Sequence, residues 1–177
     1  VLPYWLRWMQ ALPTLDALAA ADEQLVLMLW QGLGYYSRAR RLHQAAQQLQ
    51  GSPWPHDLDA WLALPGVGRS TAGSILSSAF DRPFAILDGN VKRVLARLTA
   101  FQHPPARHSA HFWSLSEQLL DRQRPRDFNQ ALMDLGATLC TPRQPDCHRC
   151  PWQCHCAAYA AGSAEQFPVK ESPKPLP

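Results

Sequence analysis

The sequence predicts an all-α fold, because its apolar residues follow the repeat of a helix and not that of a strand. In seven segments apolar residues recur every three or four positions, which places them on one helical face. These segments are Leu2–Met9, Leu25–Trp30, Leu58–Leu64, Ile75–Phe80, Val91–Leu98, Phe112–Leu120 and Ala131–Leu139. The sequence has no useful stretch of the strict apolar–polar alternation that marks a half-buried strand. We therefore expect helices joined by short turns.

Polar residues and helix breakers mark the ends of these predicted helices. Residues with good N-capping side chains stand just ahead of the apolar segments at Thr14, Asp22, Asp57 and Asp127. Breaks are expected at Pro13, Gly32–Gly34, Pro53–Pro55, Pro65–Gly68, Pro104–Pro105 and Pro125. The proline- and lysine-rich stretch from Phe167 to Pro177 is expected to be a linker or a frayed end.

Composition indicates a globular protein that has no membrane contact. The 177 residues are 46% hydrophobic, which disfavours a disordered chain. No apolar run is long enough to span a bilayer and no basic-then-apolar leader opens the chain, so we expect a cytoplasmic location. The net charge of +3 is too small to indicate nucleic acid by itself. The basic residues are mostly arginines, which suit bidentate contacts to phosphate.

Four cysteines near the C-terminus follow the pattern C-x6-C-x2-C-x5-C: Cys140, Cys147, Cys150 and Cys156. Four thiolates gathered so closely need a cation to relieve their repulsion, which predicts a metal ion or a cluster. A zinc site is the alternative, although zinc ligands usually come as two short pairs and only Cys147 and Cys150 form one. Disulfides are disfavoured because the cysteine count is odd. We interpret the fifth cysteine, Cys154, as a non-ligand.

A glycine-rich turn between two predicted helices forms the second motif, in the segment Leu64–Ala72. One helix ends at Leu64 and another begins near Arg69. The turn between them consists of Pro65, Gly66, Val67 and Gly68. Such a turn can point backbone N–H groups at a phosphate from the start of the second helix. An ordinary tight helix–helix turn without a ligand is the alternative.

Two further segments carry candidate functional residues. Residues 86–94 read ILDGNVKRV, in which Asp88 is most simply the N-cap of a helix beginning near Asn90. Residues 30–42 read WQGLGYYSRARRL, in which tyrosines follow a glycine bend and precede arginines. That combination suits an aromatic wedge, formed by Tyr35, with phosphate-binding charges such as Arg38. Packing of the tyrosines against the neighbouring turn is the alternative.

Together these motifs resemble the helix-hairpin-helix DNA glycosylases of the endonuclease III and MutY branch. The similarity is greatest to the MutY-type adenine glycosylases and runs from Val1 to about Ala160. The resemblance implies two helical lobes flanking a DNA-binding cleft. One lobe would comprise residues 24–100 with the hairpin at 64–72, and the other residues 1–23 and 101–160. It also implies a [4Fe–4S] cluster on the four cysteines of the 140–156 loop, followed by a linker at 161–177.

The activity implied by the resemblance is base excision repair of double-stranded DNA. Such enzymes hydrolyse the N-glycosidic bond of adenine mispaired with 8-oxoguanine or guanine. The resemblance makes Asp88 the catalytic carboxylate, which stabilises positive charge on the sugar, with Asn90 and Ser70 supporting it. Bifunctional relatives have a lysine where Ser70 stands, and serine cannot form a Schiff base, so a monofunctional enzyme is expected.

The resemblance also supplies the expected DNA contacts. These are Tyr35, Arg38, the turn residues Pro65, Gly66, Val67 and Gly68 with Arg69, and the cluster-loop arginines Arg143 and Arg149. We expect a monomer, and association with the nucleoid if the protein is bacterial.

One departure from the family concerns the proton donor. The family's general acid is a glutamate upstream of the segment that Val1 begins, and Glu23, Glu117, Glu165 and Glu171 do not stand in that context. We therefore expect a fragment with impaired catalysis. Two alternatives remain: a non-catalytic module that binds or scans DNA, and a glycosylase for oxidised pyrimidines of the endonuclease III type.

Overall fold

A computed structural model describes residues 2–171 and confirms the all-α prediction, since it contains helices and no strand within that range. The α-helices are α1 (Leu2–Ala11), α2 (Leu15–Ala20), α3 (Glu23–Leu29), α4 (Tyr36–Leu49), α5 (Leu58–Leu62), α6 (Arg69–Phe80), α7 (Gly89–Leu98), α8 (Ser109–Leu119), α9 (Pro125–Asp134) and α10 (Ala157–Ala160). A π-helical turn, Leu135–Leu139, continues α9. Short 3-10 turns lie at Pro105–His108, Cys147–Arg149, Gln153–His155 and Ala164–Gln166.

The chain divides into two compact units, with the boundary inside α6, between Ala72 and Gly73. The first unit contains α1 to α5 and the start of α6. The second contains the rest of α6 and all later helices. The two lobes and the linker expected from the resemblance stay predictions.

The first unit packs α2, α3 and α4 around a small apolar core. Val26 of α3 and Ala39 of α4 are fully buried in it, beside Leu18 of α2. Helix α1 has no buried residue and is attached through its side chains. Arg7 donates from Nη2 to the carbonyl of Leu29 at 3.0 Å, and Trp8 meets Trp30 edge to face.

Helix α4 is the longest α-helix among the described residues, and the apolar repeat did not predict it. Its sequence, YSRARRLHQAAQQL, is mostly arginine, glutamine and alanine, so few large apolar residues mark the buried face. That face is built from small residues, with Ala39, Ala45 and Ala46 buried, together with His43 and Leu49. Alanine is the strongest helix former and allows close packing, which explains the helix.

The second unit is organised around α7, which packs against α8, α9, α10 and the π-helical turn. Val91, Val94 and Leu95 of α7 are buried in a core with Phe112 of α8 and Leu132 of α9. Two arginines of α7 are also buried, Arg93 and Arg97. Helix α7 therefore buries charged side chains beside its apolar face.

Three of the four predicted N-caps are confirmed. The side chains of Thr14, Asp22 and Asp57 accept backbone N–H bonds at the starts of α2, α3 and α5. The fourth, Asp127, is wrong, because α9 begins at Pro125 and Asp127 lies in its first turn. Its carboxylate accepts instead from the guanidinium of Arg124. Proline at the start of α9 needs no amide partner, which explains the earlier beginning.

The expectation of a frayed end is wrong at its first residue. Phe167 is buried, and its carbonyl accepts a hydrogen bond from Arg97 Nε at 2.9 Å. Composition could not reveal an acceptor for a buried arginine 70 positions earlier. Residues 172–177 of the predicted tail lie outside the described residues.

Candidate functional site

Asp88 caps α7, as the sequence predicted. Its Oδ1 accepts the backbone N–H of Val91 at 2.7 Å, and the helix begins at Gly89. The side chain is half-buried. A carboxylate at a helix N-terminus also gains from the helix dipole. The cap therefore fixes the direction of Asp88 while part of its surface stays accessible.

Asn90 lies in the first turn of α7, where its Oδ1 accepts a bond from Arg93 Nη2 at 2.9 Å. Asn90 also packs against Gly136: a Cβ atom added at position 136 would lie only 2.8 Å from the Cβ of Asn90. Glycine at position 136 thus lets the π-helical turn approach α7. Asn90 supports the local structure beside Asp88, while its predicted role in catalysis stays a prediction.

Arg93 lies one turn after Asn90 in α7 and is shielded from solvent, although arginine side chains are usually exposed. The side chain is buried and donates to the carbonyls of Cys140, at 2.8 Å from Nε, and Gly136. Burial lowers the pKa of Arg93, so protein acceptors must replace the lost water around the guanidinium. Arg93 thereby connects Asn90 to the backbone of the first cysteine in the motif.

The four cysteines of the motif line one cavity. They share its wall with apolar residues that include Val94, Leu98, Leu135, Leu139 and Trp152. Cys154 is exposed and does not line the cavity, which agrees with its interpretation as a non-ligand. All five cysteines are free thiols in this structure.

The electrostatics of this cavity call for a cation. Burial raises the pKa of the Cys147 thiol, and the sulfurs of Cys140, Cys156 and Cys150 raise it further. Burial also raises the pKa of the Cys150 thiol. A hydrogen bond with the backbone of Trp152 lowers this pKa, but burial has the larger effect. Four thiolates could therefore coexist here only if a bound positive group offset their mutual repulsion.

A single zinc ion and an iron–sulfur cluster are both groups that four cysteines can hold. Across residues 2–171, no three or more His, Cys, Asp or Glu side chains form a group that could hold a metal ion. A zinc ion would draw all four sulfurs to about 2.3 Å from one point. The four thiols that line the cavity supply the donor set of an iron–sulfur cluster as well as that of a four-cysteine zinc site.

Arg97 binds the two sides of this cysteine region together and was not predicted as functional. Nε donates to the carbonyls of Ala164 and Phe167 at 2.8 and 2.9 Å. Nη1 donates to Cys140 Sγ at 3.3 Å, and the remaining donors reach the carbonyls of Thr141 and Pro142. With the side chain only 2% exposed, the guanidinium depends entirely on these acceptors.

The predicted hairpin is a turn between two helices, although its first helix ends before Leu64. Helix α5 ends at Leu62, α6 begins at Arg69, and the Val67 amide donates to the carbonyl of Leu64 at 3.2 Å. Gly66 has a φ of +78°, which favours glycine. A Cβ there would also approach Cβ of Arg41 to 2.8 Å. Glycine therefore permits both the turn and its contact with α4.

The tyrosine loop places its predicted wedge on the surface. Tyr35 precedes α4 in a left-handed conformation, with φ +49° and ψ +53°, and its side chain is 76% exposed. The Arg38 guanidinium lies over the Tyr35 ring, 5.1 Å from its centroid, in a cation–π contact. A large aromatic held outward in a strained conformation is the kind of feature that marks a binding site.

The other predicted contacts are accessible to different degrees. Arg69 and Arg143 are exposed, and Ser70 is half-buried at the start of α6. Arg149 is exposed and pairs with Asp146 at 3.4 Å. Arg143 lines an open groove together with Gly89, which neighbours Asp88. In the second unit the structure thus places Arg143 close to the start of α7.

Comparisons with known proteins agree with these features. The model of the family described as HhH-GPD superfamily base excision DNA repair protein matches residues 1–118. The adenine DNA glycosylase of Mus musculus is 49% identical over 165 residues, which is 90% of this chain and 32% of that protein. The human adenine DNA glycosylase is 46% identical over 173 residues, or 94% of this chain and 32% of the relative. The chain thus spans about a third of these curated relatives.

Solved structures show the same fold. A thermostable thymine-DNA glycosylase superposes with a TM-score of 0.79 at 27% identity, covering 90% of this chain and 76% of the other. Endonuclease III in a non-covalent DNA complex superposes with a TM-score of 0.75 at 22% identity, with the same coverage. At that identity the second likeness concerns the fold alone.

Proposed function

Because the chain belongs to the HhH-GPD superfamily of base excision DNA repair proteins, we propose that it acts as an adenine DNA glycosylase. The proposed substrate is double-stranded DNA in which adenine is mispaired with 8-oxoguanine or guanine. Relatives that carry this activity in their names match nine-tenths of the chain at nearly half identity. Since the chain spans a third of those relatives, their activity and substrate are inferences for this protein.

The observation that carries the proposal is the half-buried carboxylate of Asp88 at the start of α7. As the bond between adenine and C1′ breaks, the base leaves with the electron pair and takes up a proton. Positive charge then builds on the sugar, water attacks C1′ and releases one proton, which balances the proton taken up by the base, and an abasic site remains. An ionised carboxylate held in a fixed direction stabilises that charge without reorganising. The N-cap bond to Val91 supplies the fixed direction.

DNA binding is proposed for the exposed features of both units. The amides at the start of α6, after the Pro65–Gly68 turn, suit one backbone phosphate. The exposed ring of Tyr35 suits insertion into the base stack, which opens a duplex toward base flipping. Arg38, Arg143 and Arg149 would add contacts to phosphates.

The proposed chemistry is monofunctional. A glycosylase that also cleaves the strand uses an amine to form a Schiff base with the sugar. Ser70 stands where the bifunctional relatives have that lysine, and its hydroxyl cannot form an imine. Borohydride should therefore trap no covalent complex between this protein and DNA, and a trapped complex would contradict this part of the proposal.

We assign a [4Fe–4S] cluster to Cys140, Cys147, Cys150 and Cys156, which line a common cavity. When bound, the cluster would supply the positive charge that neutralises the four thiolates and would cross-link the loop. The loop carries Arg143 and Arg149, so the protein's own contribution is to present these two cations to DNA. Arg97 holds the same loop from inside through the carbonyls of Thr141 and Pro142.

The test compares binding to two duplexes that contain 8-oxoguanine opposite an abasic-site analogue. In one the sugar is a protonated pyrrolidine, a cation that mimics the charged sugar, and in the other it is neutral tetrahydrofuran. We expect tighter binding of the cationic duplex, because transition-state analogues bind tightly. Asp88→Asn should abolish this preference without weakening binding of the neutral duplex.

Adenine release from the mispaired duplex is the second measurement. It also needs a proton donor for the departing base. Binding of the cationic analogue has no such requirement, so it tests Asp88 directly. Equal binding of both analogues by the unaltered protein, with no release of adenine, would refute the glycosylase proposal and favour a DNA-scanning module.

A further inference from the structure

The segment that leads into Asp88 is buried without being part of a helix. Residues 81–88, called here the connecting segment, join α6 to α7. Ala85, Ile86 and Leu87 in it are 8%, 1% and 6% exposed. A buried non-helical backbone must find hydrogen-bond partners outside itself. The position of Asp88 therefore depends on what binds this segment.

Two side chains from other helices donate to the connecting segment. Ser116 of α8 donates from Oγ to the carbonyl of Ile86 at 2.7 Å, in a fully buried bond. Asn129 of α9 donates from Nδ2 to the carbonyl of Phe84 at 2.8 Å. Both donors are buried, at 1% and 2% exposure. The two bonds hold alternate residues of the segment, and the nearer acceptor, Ile86, lies two residues before Asp88.

The hydrogen-bond partners of Asn129 determine which side of its amide carries Nδ2 and which carries Oδ1. Nδ2 donates both to Phe84 and to Ser77 Oγ, the latter at 2.9 Å. The opposite amide orientation would place Oδ1 against the Phe84 carbonyl, where two acceptors would repel each other. Asn129 Oδ1 is the buried side-chain atom left without a partner among the described residues. The amide thus keeps its bond to the segment although its own oxygen is unsatisfied.

A third helix, α6, contacts the connecting segment through Gly73. This residue of α6 lies against the Ala85 carbonyl so closely that a methyl group at position 73 would overlap the oxygen. Helices α6, α8 and α9 therefore contact three successive carbonyls, those of Ala85, Ile86 and Phe84. Such enclosure restricts rotation of the peptide groups that precede Asp88.

Resting on the proposed role of Asp88, we infer that Ser116 and Asn129 are positioning residues for the catalytic carboxylate. They act through the backbone of the connecting segment and touch no reacting atom. Electrostatic stabilisation of a charged sugar depends on where the carboxylate is held, and small displacements are costly. Loss of either donor should weaken recognition of the charged sugar more than it weakens binding of DNA.

The experiment measures the preference for the cationic over the neutral abasic-site duplex in Ser116→Ala and Asn129→Asp. Alanine removes one hydroxyl, and aspartate keeps the shape of asparagine but, in its ionised form, has no hydrogen to donate to the Phe84 carbonyl. We expect the preference to fall on the order of tenfold to a hundredfold, with binding of the neutral duplex nearly unchanged. Ser116→Thr keeps the hydroxyl and should restore the preference.

Ser163→Ala is the matched control. Its hydroxyl also donates to a backbone carbonyl, that of Ala158, within the second unit but away from the connecting segment. This variant should leave the preference unchanged, with melting temperatures measured for every variant. If Ser163→Ala lowers the preference as much as Ser116→Ala does, the effect is general destabilisation and the inference fails.

Asp88→Asn separates failure of this inference from failure of the proposed function. If Asp88→Asn abolishes the preference while Ser116→Ala and Asn129→Asp keep it, the positioning role is refuted and the role of Asp88 stands. If Asp88→Asn keeps the preference, the proposed function of Asp88 is what fails. If Ser116→Ala does not fold, the inference is tested with the other two variants. It stands if Asn129→Asp lowers the preference and Ser116→Thr keeps it, and it fails if Asn129→Asp keeps the preference.

Discussion

The guanidinium of Arg97 lies 3.3 Å from Sγ of Cys140, and the same side chain reaches the carbonyl of Phe167. A hydrogen bond from a guanidinium stabilises a thiolate, because it places positive charge at the sulfur. The other bonds of Arg97 hold segments on both sides of the cysteine motif. One side chain therefore supports the first cysteine and encloses the cavity that four cysteines line.

Arg97→Met should lower the free energy of unfolding by at least about 3 kcal/mol, because it leaves several buried acceptors without a donor. Arg97→Lys should recover only part of this loss, because its ammonium group can donate to some of these acceptors but cannot reproduce the planar fork of the guanidinium. Urea denaturation measures both. Arg107→Met is the control: Arg107 forms an exposed ion pair with Glu171, so its loss should cost less than about 1 kcal/mol.

Cys154→Ser should retain a full complement of iron and sulfide, because Cys154 lies outside the cavity wall. Cys147→Ser should lose the cluster, because it removes one of four thiolates that line the cavity. Iron and acid-labile sulfide are measured per chain after anaerobic purification, with about four of each expected in the unaltered protein. Equal loss in the two variants would mean that the ligand set is assigned wrongly.

Tyr35→Asn should stabilise the protein while weakening DNA binding. Asparagine tolerates the left-handed conformation of this position, and relief of that strain is worth about 1–2 kcal/mol. The lost exposed cation–π contact with Arg38 offsets only about 0.5–1 kcal/mol of it. Thermal unfolding and duplex affinity provide the two measurements. Tyr36→Asn, in the first turn of α4, relieves no such strain and should bring no gain in stability.

Arg143→Gln and Arg149→Gln should each reduce the salt dependence of duplex binding. Every lost phosphate contact lowers the slope of log K against log salt concentration by about 0.9 for B-form DNA. Titrations at several salt concentrations give that slope. Arg124→Gln removes another exposed arginine, which pairs with Asp127 on α9, and should leave the slope unchanged. Unaltered slopes in both loop variants would remove these arginines from the DNA interface.

Gly73→Ala should destabilise the protein, although alanine is normally favoured over glycine in a helix by about 1 kcal/mol. The added methyl group would overlap the Ala85 carbonyl and displace the connecting segment. We expect a net loss of about 1–3 kcal/mol, as in other overpacked sites. Gly89→Ala is the matched control, since a Cβ there meets open space. A gain in stability at position 73 would contradict the close contact.

Local sequence signals predicted much of this structure. The spacing of Leu58–Leu64 and Val91–Leu98 predicted α5 and α7, and Asp88 was correctly interpreted as a helix cap. The spacing of the four cysteines predicted their convergence on one cavity. In these cases the residues that determine the feature are neighbours in the sequence, or belong to a motif with a fixed spacing.

The buried polar residues could not be predicted in the same way. Arg93 and Arg97 have the sequence appearance of solvent-exposed charges, because their carbonyl partners come from residues 43 to 70 positions later. Ser116 and Asn129 likewise donate to a segment 30 and 45 positions earlier. Their roles depend on which backbone groups the tertiary fold leaves unpaired. A local sequence pattern cannot predict which backbone groups those are.

The bonds of Arg97 also have a consequence for biosynthesis. Helix α7 leaves the ribosome well before its arginine acquires partners, since Thr141 follows Arg97 by 44 residues and Phe167 by 70. Until those residues emerge, a nascent chain cannot bury the guanidinium without a large penalty. The second unit therefore cannot complete its folding until its last residues have emerged from the ribosome. Translation arrested shortly after the final cysteine should leave a protease-sensitive intermediate on the ribosome.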